Sequence, residues 1–567
     1  MGCLPNLTDP SDAGVDASGD VSSDAGDAGA DTGDGCETIA DPVAWCMSES
    51  KCGTVDRGDC PDIDCGETCS DSDSCVENAC MCDDDKIDVV ASCSQEGKVC
   101  GALTERTTCS GRVIECGMCA NFEACGEGVC ELPRIEPPSM YSATQQLRLG
   151  TGMGYGDGYL LMSSDPPGGP ENTIFSVNLA TSEVSTVDIE DGTSNPLTLG
   201  ADIDVEGAYA LIGSPAAPNE SNGLALPFKR EGDTWLPFQN QEQGGIQTLV
   251  DPLTSEEVEG FGKHVAVDYP YFAVSTSRYN PTPDITNARG LVHLWKHEGG
   301  QFVALDTTLL NPTVEEQSTF LNAQYGESID LGSGMFFVSS TKAFNPLGKA
   351  CGLVRVFFLE EAESGQPLSS DLRDVDCDSQ NEGVADKVLG SNFGQSVHFD
   401  GETLLVSAPR YDQAEGPGAL YVFDYDATAS DVSDRFAEPT RIELPLIEGL
   451  FLRDDAWSLT RAGDTIIVGL DAMGMTKVED DPMNPSLLNN EGLIAIVRKD
   501  AQGTWAFEKY WIPGDFEGET YRFGAVVAGT PEGKLYVSAP AATTPTGTGD
   551  RDVSGRGATV ELDMNEP

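Results

Sequence analysis

The sequence is poor in positive charge and in histidine. It has 32 Lys and Arg residues against 95 Asp and Glu residues, a formal net charge of −63, and only four histidines. Nucleic acid and anionic membrane surfaces would repel such a chain, because both carry negative charge. Cationic partners, divalent metals or a salty environment remain compatible with it. The simplest interpretation is that an acidic surface keeps an extracellular protein dispersed.

Long apolar runs and familiar catalytic motifs are also missing. No stretch approaches the roughly eighteen apolar residues of a transmembrane helix, and no charged-then-apolar signal segment precedes Cys3. The sequence has no Gly-x-Ser-x-Gly, no His-Glu-x-x-His and no Walker-type loop. These absences predict a protein that is not an enzyme, and we assign no catalytic and no cofactor-binding residue.

The 19 cysteines are distributed unevenly. Sixteen lie within residues 36–130, Cys351 and Cys377 stand alone in the C-terminal part, and Cys3 is near the start. This density indicates an oxidising compartment, because thiols stay reduced in the cytosol. We therefore expect an export signal that was removed ahead of the sequence as given. A disulfide between Cys351 and Cys377 is predicted to pin the acidic insertion that contains Cys377.

The segment after Cys3 has an unusual composition. Residues 9–35 are mostly Asp, Ala, Gly and Ser, without an aromatic side chain, so residues 1–35 are predicted to be disordered. Gly2-Cys3 followed by such a tail resembles the mature end of a bacterial lipoprotein, which implies a lipid on Cys3. The alternatives are an ordinary free thiol or a myristoylation start, although Asn6 replaces the Ser or Thr expected there.

Residues 36–131 contain two copies of one cysteine module. The copies span residues 46–80 and 93–130, and seven cysteines match between them. Cys116 and Cys119 have the spacing of zinc ligands, but the region has no histidine and an even cysteine total, so disulfides of open connectivity are favoured. The pattern resembles the cysteine-rich stalk repeats of bacterial surface proteins, a resemblance that implies no activity.

After a proline-marked linker at residues 132–139, the sequence repeats one pattern about seven times. The clearest unit, residues 392–426, has Phe393-Gly394 and three short apolar runs separated by turn residues and Ser-Ala-Pro. Such runs are typical of β-strands, and a long repeat with about four strands predicts propeller blades. The units open near Gly150, Leu199, Phe261, Tyr325, Phe393, Trp457 and Phe523.

The order of Phe-Gly, a strand, Ser-Ala-Pro, Gly-x-Val-Tyr-Val-Phe and Gly-x-Thr-Trp resembles the FG-GAP repeats of integrin α-subunit-like propellers. The resemblance is strongest at Phe261, Phe393 and Phe523, and it is weaker at Trp457, where Phe-Gly is lost. It implies an all-β, seven-bladed β-propeller over residues 140–567 with an extracellular binding or adhesive role.

The last repeat stops after its third strand, so its fourth strand must come from elsewhere in the chain. Residues 141–149 precede the first repeat and have no unit of their own. We expect them to complete the last blade and close the ring, because closure removes open sheet edges.

The histidines are the remaining candidate site residues. His293 and His297 would share one face of a strand about 13 Å apart, too far for one metal ion. His264 and His398 occupy non-equivalent repeat positions, so we favour structural roles for all four. The loops between first and second strands hold at most two acids in the units compared, so no calcium or other metal site is assigned.

These observations predict a monomeric surface lipoprotein that touches the membrane only through its anchor. Its propeller is expected to bind an unidentified surface protein or glycan, not nucleic acid, through loops on one face. The alternatives are a propeller-based extracellular hydrolase and a structural envelope component. Clustered carboxylates or a His and Arg group in the central channel would favour the hydrolase, whereas a featureless channel would favour binding.

Overall fold

The computed structural model describes residues 148–565 with gaps, and the strands among residues 54–135. The chain divides into two compact units, Met1–Met118 and Cys119–Pro567. The predicted disordered tail, residues 1–35, lies outside the described residues. The gaps are residues 165–172, 190–198, 216–222, 241–244, 252–257, 280–289, 306–310, 312–323, 345–350, 364–365, 375–390, 410–417, 446–449, 452–456, 471–473, 476–488, 491, 512–521 and 541–557.

The cysteine-rich region contains antiparallel two-stranded hairpins at matching places in its two copies. The first hairpin of each copy lies between matching cysteines, and the second places two cysteines opposite each other, Cys75 with Cys80 and Cys125 with Cys130. The strand pairs are Thr54–Arg57 with Cys60–Asp64, Asp73–Val76 with Ala79–Cys82, Ala102–Thr107 with Val113–Glu115, and Ala124–Gly126 with Val129–Glu131.

Seven antiparallel sheets, here called blades 1 to 7, contain most of the described strands of the second unit. Blade 1 comprises Met153–Gly156, Tyr159–Ser163, Ile174–Asn178 and Glu183–Thr186, and blade 2 comprises Ile203–Glu206, Tyr209–Ser214, Leu224–Glu231 and Thr234–Pro237 with the added strand Leu249–Val250. Blade 3 comprises Val258–Asp268, Tyr271–Tyr279, Leu291–Glu298 and Gln301–Ala304, and blade 4 comprises Tyr325–Gly332, Met335–Ser340, Leu353–Glu363 and Gln366–Leu372. Blade 5 comprises Val397–Phe399, Thr403–Ala408, Gly418–Asp424 and Thr440–Leu444. Blade 6 comprises Trp457–Ala462, Thr465–Leu470, Leu493–Lys499 and Trp505–Trp511, and blade 7 comprises Val527–Gly529, Lys534–Ala539, Ala558–Asp563 and Arg134–Ile135.

Two small elements lie between the strands of these blades. A 3-10 helix, Val432–Asp434, interrupts blade 5. Leu450–Phe451, Gly474–Met475 and Asn489–Asn490 form a separate three-stranded sheet. The described residues are otherwise strands, turns and loops, so the predicted all-β, seven-bladed β-propeller is confirmed.

The second strand of each blade is where the apolar core concentrates. Every residue of Met335–Ser340, Thr403–Ala408 and Thr465–Leu470 is buried. These strands read as continuous apolar runs because a neighbouring blade covers each of their faces. Complete burial of one such leucine or phenylalanine contributes about 1.5–3 kcal/mol, so the repeated runs account for the stacking of the blades.

The Phe-Gly pair forms a bulge at the start of a first strand. In blade 3, Phe261 pairs with Thr276 and Val265 with Val274, which leaves two extra residues on the first strand. Gly262 has a φ of 86°, and a Cβ there would lie 2.4 Å from the carbonyl oxygen of Leu224 in blade 2. Only glycine fits both this backbone conformation and the contact with the preceding blade.

Blade 6 lacks this bulge. Trp457 pairs with Leu470, and Leu459 pairs with Val468 without a shift in register. Trp457 therefore has the strand partner that Phe261 has in blade 3, but it begins a regular strand. The loss of Phe-Gly from the sixth repeat thus corresponds to the loss of one structural feature.

The serine at the fifth position of the second strand, which belongs to Ser-Ala-Pro in blades 5 and 7, also has an architectural role. Its Oγ accepts a hydrogen bond from the backbone N–H two residues after the glycine that opens the repeat, and this donor would otherwise lack a partner. The donor nitrogens and acceptor serines are Gly152 and Ser163 at 2.8 Å, Ser328 and Ser339 at 2.8 Å, Ser396 and Ser407 at 2.8 Å, and Val526 and Ser538 at 2.9 Å.

An N-terminal strand closes the ring, but it is not the strand that the sequence predicts. Arg134–Ile135 pairs with Ala558–Asp563 as the fourth strand of blade 7. The assignment of residues 141–149 to this strand is therefore wrong, and the predicted linker supplies it. The physical reason is the path of the chain. Leu149-Gly150 leads directly into the first, innermost strand of blade 1, so the outermost strand of blade 7 has to come from residues closer to the N-terminus.

Candidate functional site

The first strands of all seven blades line a central channel of about 1730 Å³. Side chains alternate along a strand, so every second residue faces the channel. Strand register sorts these residues into three layers, numbered from the start of the strands. Polar members are Asp202, His264, Ser328, Ser396 and Ser458 in layer 1; Asp204, Asp330, His398 and Thr460 in layer 2; and Glu206, Asp268, Asp400 and Thr530 in layer 3.

Two channel aspartates join neighbouring blades. Asp204 accepts a hydrogen bond from its neighbour Val205 N at 2.9 Å and another from Val267 N in blade 3 at 2.7 Å. Asp330 repeats this arrangement in blade 4, with Leu331 N at 2.8 Å and Phe399 N of blade 5 at 2.6 Å. Both oxygens of each carboxylate are therefore engaged by backbone N–H groups.

Four other side chains also accept a backbone N–H bond from the next blade. Asp202 accepts from Val265 N at 3.0 Å, Ser328 from Val397 N at 3.1 Å, Thr460 from Gly529 N at 2.9 Å, and Asp268 from Gly334 N at 3.0 Å. An innermost strand is a sheet edge, so some of its backbone N–H groups have no strand partner. The side chain from the preceding blade supplies the missing acceptor.

Each of two channel histidines lies beside one of these aspartates. His264 Nδ1 is 3.6 Å from Asp202 Oδ2, and His398 Nδ1 is 3.6 Å from Asp330 Oδ2. Both distances exceed a hydrogen bond. The two histidines lie in different layers, as the sequence predicts, yet both face the channel. Burial lowers the pKa of His398, while Asp400 opposes that shift.

Burial also changes the acids of the channel. It raises the pKa of Asp204 to about 7, and it raises the pKa of Asp330 well above its usual range. Neighbouring negative charges add to both shifts, whereas the bonds from backbone N–H groups oppose them. The pKa of Glu206 is raised by burial and by the charge of Asp268. The channel thus contains one carboxyl group, Asp204, that changes protonation near neutral pH, and others whose pKa values are shifted in the same direction.

One mouth of the channel is ringed by the turns between first and second strands. Two arginines near this mouth are paired with acids: Arg461 Nη1 lies 2.9 Å from Asp400 and 3.6 Å from Glu402, and Arg230 pairs with Asp157. Acidic residues come from every blade except blade 4, and they are Asp157, Glu206, Asp268, Glu402, Asp464 and Glu532.

The other two histidines lie away from the channel lining. His293 is buried in blade 3 with Nε2 3.8 Å from Asp251 Oδ2, and burial lowers its pKa to about 4. His297 contacts Tyr269, whose hydroxyl is 3.3 Å from Nδ1. The two histidines therefore have separate surroundings.

The predicted modification residues are only partly described. Cys351 is buried and disulfide-bonded. Cys377 and Cys3 lie outside the described residues, so the pairing with Cys377 and the lipid on Cys3 stay predictions. Among the described residues no group of three or more His, Cys, Asp or Glu side chains has a metal-binding arrangement. No helix in that part of the chain is long and apolar enough to span a membrane.

The channel acids were not singled out from the sequence, although one signal for them exists. Residues 202–206 read Asp-Ile-Asp-Val-Glu, so three acids alternate with two apolar residues. In a strand this period places all three acids on one face. The sequence alone does not show that this face lines a channel, because that depends on the other six blades.

The seven sheets around one channel define the class of protein, a seven-bladed β-propeller. The family model described as the FG-GAP repeat matches residues 385–423, within blade 5 and the segment before it. The match and the blade count together support an FG-GAP β-propeller. No curated protein sequence matches the chain at a significant level.

Several solved structures are similar to this chain at low sequence identity. A prolyl endopeptidase is 11% identical with a TM-score of 0.40, and the match covers 74% of this chain but 47% of that protein. A periplasmic gluconolactonase from Pseudomonas aeruginosa is 13% identical, with a TM-score of 0.35 and coverage of 69% and 93%. An oligogalacturonate lyase from Vibrio parahaemolyticus is 10% identical, with a TM-score of 0.37 and coverage of 77% and 94%.

Proposed function

We propose that this chain is a cell-surface binding protein without enzymatic activity, and that its partner presents cationic groups to the acidic mouth of the propeller channel. The observation that carries the proposal is the ring of carboxylates at that mouth, to which six blades contribute. A concave surface of one charge sign concentrates ligands of the opposite sign. The formal net charge of −63 extends the same attraction over the whole molecule.

The hydrogen bonds inside the channel also favour binding over catalysis. Asp204 and Asp330 each accept two backbone N–H bonds, and these bonds connect consecutive blades. A carboxylate held in this way has an architectural reason to be there. Glu402 and Asp464, at the mouth, have highly exposed side chains, so a partner can reach them without disturbing the ring.

The display of the propeller is part of the same proposal. A lipid on Cys3 would hold the chain at the outer surface of the cell. The acidic segment of residues 9–35 would act as a spacer, since aspartates repel each other and extend a chain. The cysteine-rich region would then be a stalk stabilised by disulfides, and the membrane would be contacted only through the anchor.

Capture of surface molecules by the full chain tests this function. Immobilised protein should retain specific surface proteins or glycans at low salt and release them at high salt, because screening weakens exposed charge pairs. The triple variant Glu402→Gln, Asp464→Asn, Glu532→Gln should retain less. A control with the same charge change away from the channel, Glu183→Gln, Asp188→Asn, Glu443→Gln, should retain as much as the unchanged protein. Equal retention by both triple variants would contradict a role for the mouth.

A hydrolase is the second candidate, and one observation favours it. The channel is not featureless: it combines carboxyl groups, two histidines and Arg461. Asp204 has a pKa of about 7, which suits a group that donates a proton at neutral pH. Hydrolysis of model ester, peptide or glycoside substrates that is lost in both Asp204→Asn and Asp330→Asn would replace the binding proposal with this one.

A further inference from the structure

A partly exposed pair of stacked tyrosine rings, Tyr209 and Tyr269, here called the aromatic step, lies on the boundary between blades 2 and 3. The rings of Tyr209 and Tyr269 stack with centroids 4.0 Å apart and planes 6° apart. Tyr209 begins the second strand of blade 2, and Tyr269 lies in the turn before the second strand of blade 3. Tyr269 is 41% exposed, which is unusual for a ring of this size in the described part of the propeller.

Other rings hold this step in place. Phe238 stacks on Tyr209 at 6.3 Å, and the edge of Phe272 meets Tyr269 at 6.5 Å. The hydroxyl of Tyr269 lies 3.3 Å from His297 Nδ1. A ring fixed by its neighbours loses little further freedom when a ligand covers it. The step is therefore a pre-formed contact surface.

One carboxylate of the channel mouth lies beside the step, and a second lies close by. Glu206 pairs with Tyr209 across the first hairpin of blade 2, whereas Asp268, which immediately precedes Tyr269, accepts a hydrogen bond from Gly334 N of blade 4 at 3.0 Å. Glu206 has a raised pKa because of burial and of the charge on Asp268. Neither acid has an ion pair with a described basic residue, unlike Asp400 with Arg461, and the nearby Lys229 lies 3.5 Å from Glu231. Glu206 and Asp268 thus have no ion pair with a described basic side chain, and the cation nearest in strand register, Lys229, lies opposite Tyr209.

We infer that the Tyr209–Tyr269 step, together with Glu206 and Asp268, is a docking site for arginine side chains of a basic peptide segment. A guanidinium group is planar, so it can stack on the exposed ring while its N–H groups face a carboxylate. Charge complementarity selects this partner over an acidic one. The inference rests on the proposed binding function and gives that function a location and a ligand class.

The equivalent boundary between blades 4 and 5 has no such step. There Gly401 stands in the turn at the place of Tyr269, and the buried Met335 stands at the place of Tyr209. The nearby carboxylate Asp400 is already paired with Arg461. The propeller therefore contains its own comparison: a boundary of similar construction that should not hold a guanidinium group.

Calorimetric titration of the full chain with a synthetic oligo-arginine peptide tests the inference. Tyr269→Ala should weaken binding about tenfold, and Tyr269→Phe should keep it within about twofold, since the ring face is retained. Glu206→Gln should weaken binding about threefold to tenfold at low salt. Val303→Ala, which removes an equally exposed side chain from blade 3, should change nothing, and thermal unfolding should report that each variant is folded.

Two further ligands separate the possible failures. Oligo-glutamate should not bind, and a neutral oligosaccharide such as maltohexaose should bind no better to the unchanged protein than to Tyr269→Ala. Equal oligo-arginine affinity in Tyr269→Ala and Val303→Ala would overturn the inference, as would maltohexaose binding that depends on Tyr269. Either result leaves the surface-capture experiment with the Glu402, Asp464 and Glu532 variant as a separate test of the binding function.

Discussion

The boundary between blades 2 and 3 and the boundary between blades 4 and 5 are built alike. In both, a first-strand aspartate accepts N–H bonds from the next blade, and a histidine lies 3.6 Å from a channel aspartate. In both, a buried aspartate after the last strand of the earlier blade approaches the third strand of the later one. These two aspartates are Asp251 and Asp374.

The boundaries differ in what meets that buried aspartate. The hydroxyl of Tyr421 donates to Asp374 at 2.8 Å. His293 occupies the position of Tyr421 by strand register, but its Nε2 is 3.8 Å from Asp251 Oδ2, and neither ring nitrogen has a hydrogen bond among the described residues. A hydrogen bond thus joins the buried polar pair at one boundary, whereas the other boundary holds a neutral imidazole at a cost that depends on pH.

The largest expected effect comes from the Phe-Gly glycines of the two boundaries. A Cβ on Gly262 would lie 2.4 Å from Leu224 O, whereas a Cβ on Gly394 would lie 3.0 Å from Ser339 Cβ. Both glycines have positive φ, 86° and 92°, so the backbone strain of an alanine would be similar at the two positions and only the steric clash of its Cβ would differ. Gly262→Ala should lower the free energy of unfolding by about 3–5 kcal/mol and Gly394→Ala by about 1–2 kcal/mol. Urea unfolding followed by tryptophan fluorescence measures the two free energies of unfolding. Equal losses of stability would show that the positive φ, and not the clash of the Cβ, sets the cost of the substitution.

The second effect is a loss of stability in acid at the boundary of blades 2 and 3. Burial lowers the pKa of His293 from 6.5 to about 4. Above pH 6.5 the imidazole is neutral in both the folded and the unfolded state. Between about pH 4 and pH 6.5 only the unfolded chain binds the proton. Stability should therefore fall by about 3 kcal/mol as the pH drops through this window. His293→Phe should lack that fall in pH-dependent urea unfolding, and Tyr421→Phe should keep it; an unchanged profile in His293→Phe would count against the buried imidazole.

The third effect is that, near neutral pH, the substitution at the boundary of blades 4 and 5 should lower stability more than the one at the boundary of blades 2 and 3. Tyr421→Phe removes the donor to buried Asp374 and should lower the free energy of unfolding by about 2 kcal/mol. His293→Phe loses no hydrogen bond to a described residue and should change it by less than about 1 kcal/mol. Thermal or urea unfolding of the two variants gives the answer. A larger loss in His293→Phe would mean that His293 has a partner outside the described residues.

The smallest effect is one that the two boundaries should share. Asp204 has its pKa raised from 3.8 to about 7, so the folded state binds a proton before the unfolded state as the pH falls from 7. This group should therefore make the fold about 1–2 kcal/mol more stable at about pH 6 than at about pH 8. Asp204→Asn and Asp330→Asn should each remove part of that gain. The exposed-acid control Asp188→Asn should leave the pH dependence unchanged, and a similar slope in all three would reject the channel acids as its source.

Much of the fold can be predicted from the sequence because its signals are local. Apolar runs bounded by glycine, proline and serine indicate strands wherever they occur, and the repeat of those runs indicates blades. Phe261-Gly262 and Phe393-Gly394 mark bulges because only glycine suits that backbone and that contact. Trp457 is the instructive exception, since a lost Phe-Gly means a regular strand and not a lost blade.

The closing strand and the channel could not be predicted in the same way. Arg134–Ile135 is only two residues long, and nothing in its composition separates it from a linker. Asp204 and Asp330 are more than a hundred residues apart in the chain, and the charge of Asp204 raises the pKa of Asp330. Their proximity exists only once the ring is closed.

The strands, the glycine bulges, the number of blades and the acidic character follow from the sequence alone, because each depends on residues that are near neighbours in the chain. Which acids face one channel, which of them hold blades together, and where Tyr209 meets Tyr269 follow from the folded ring. These outcomes depend on burial and on distances between blades, and only the closed ring sets those distances.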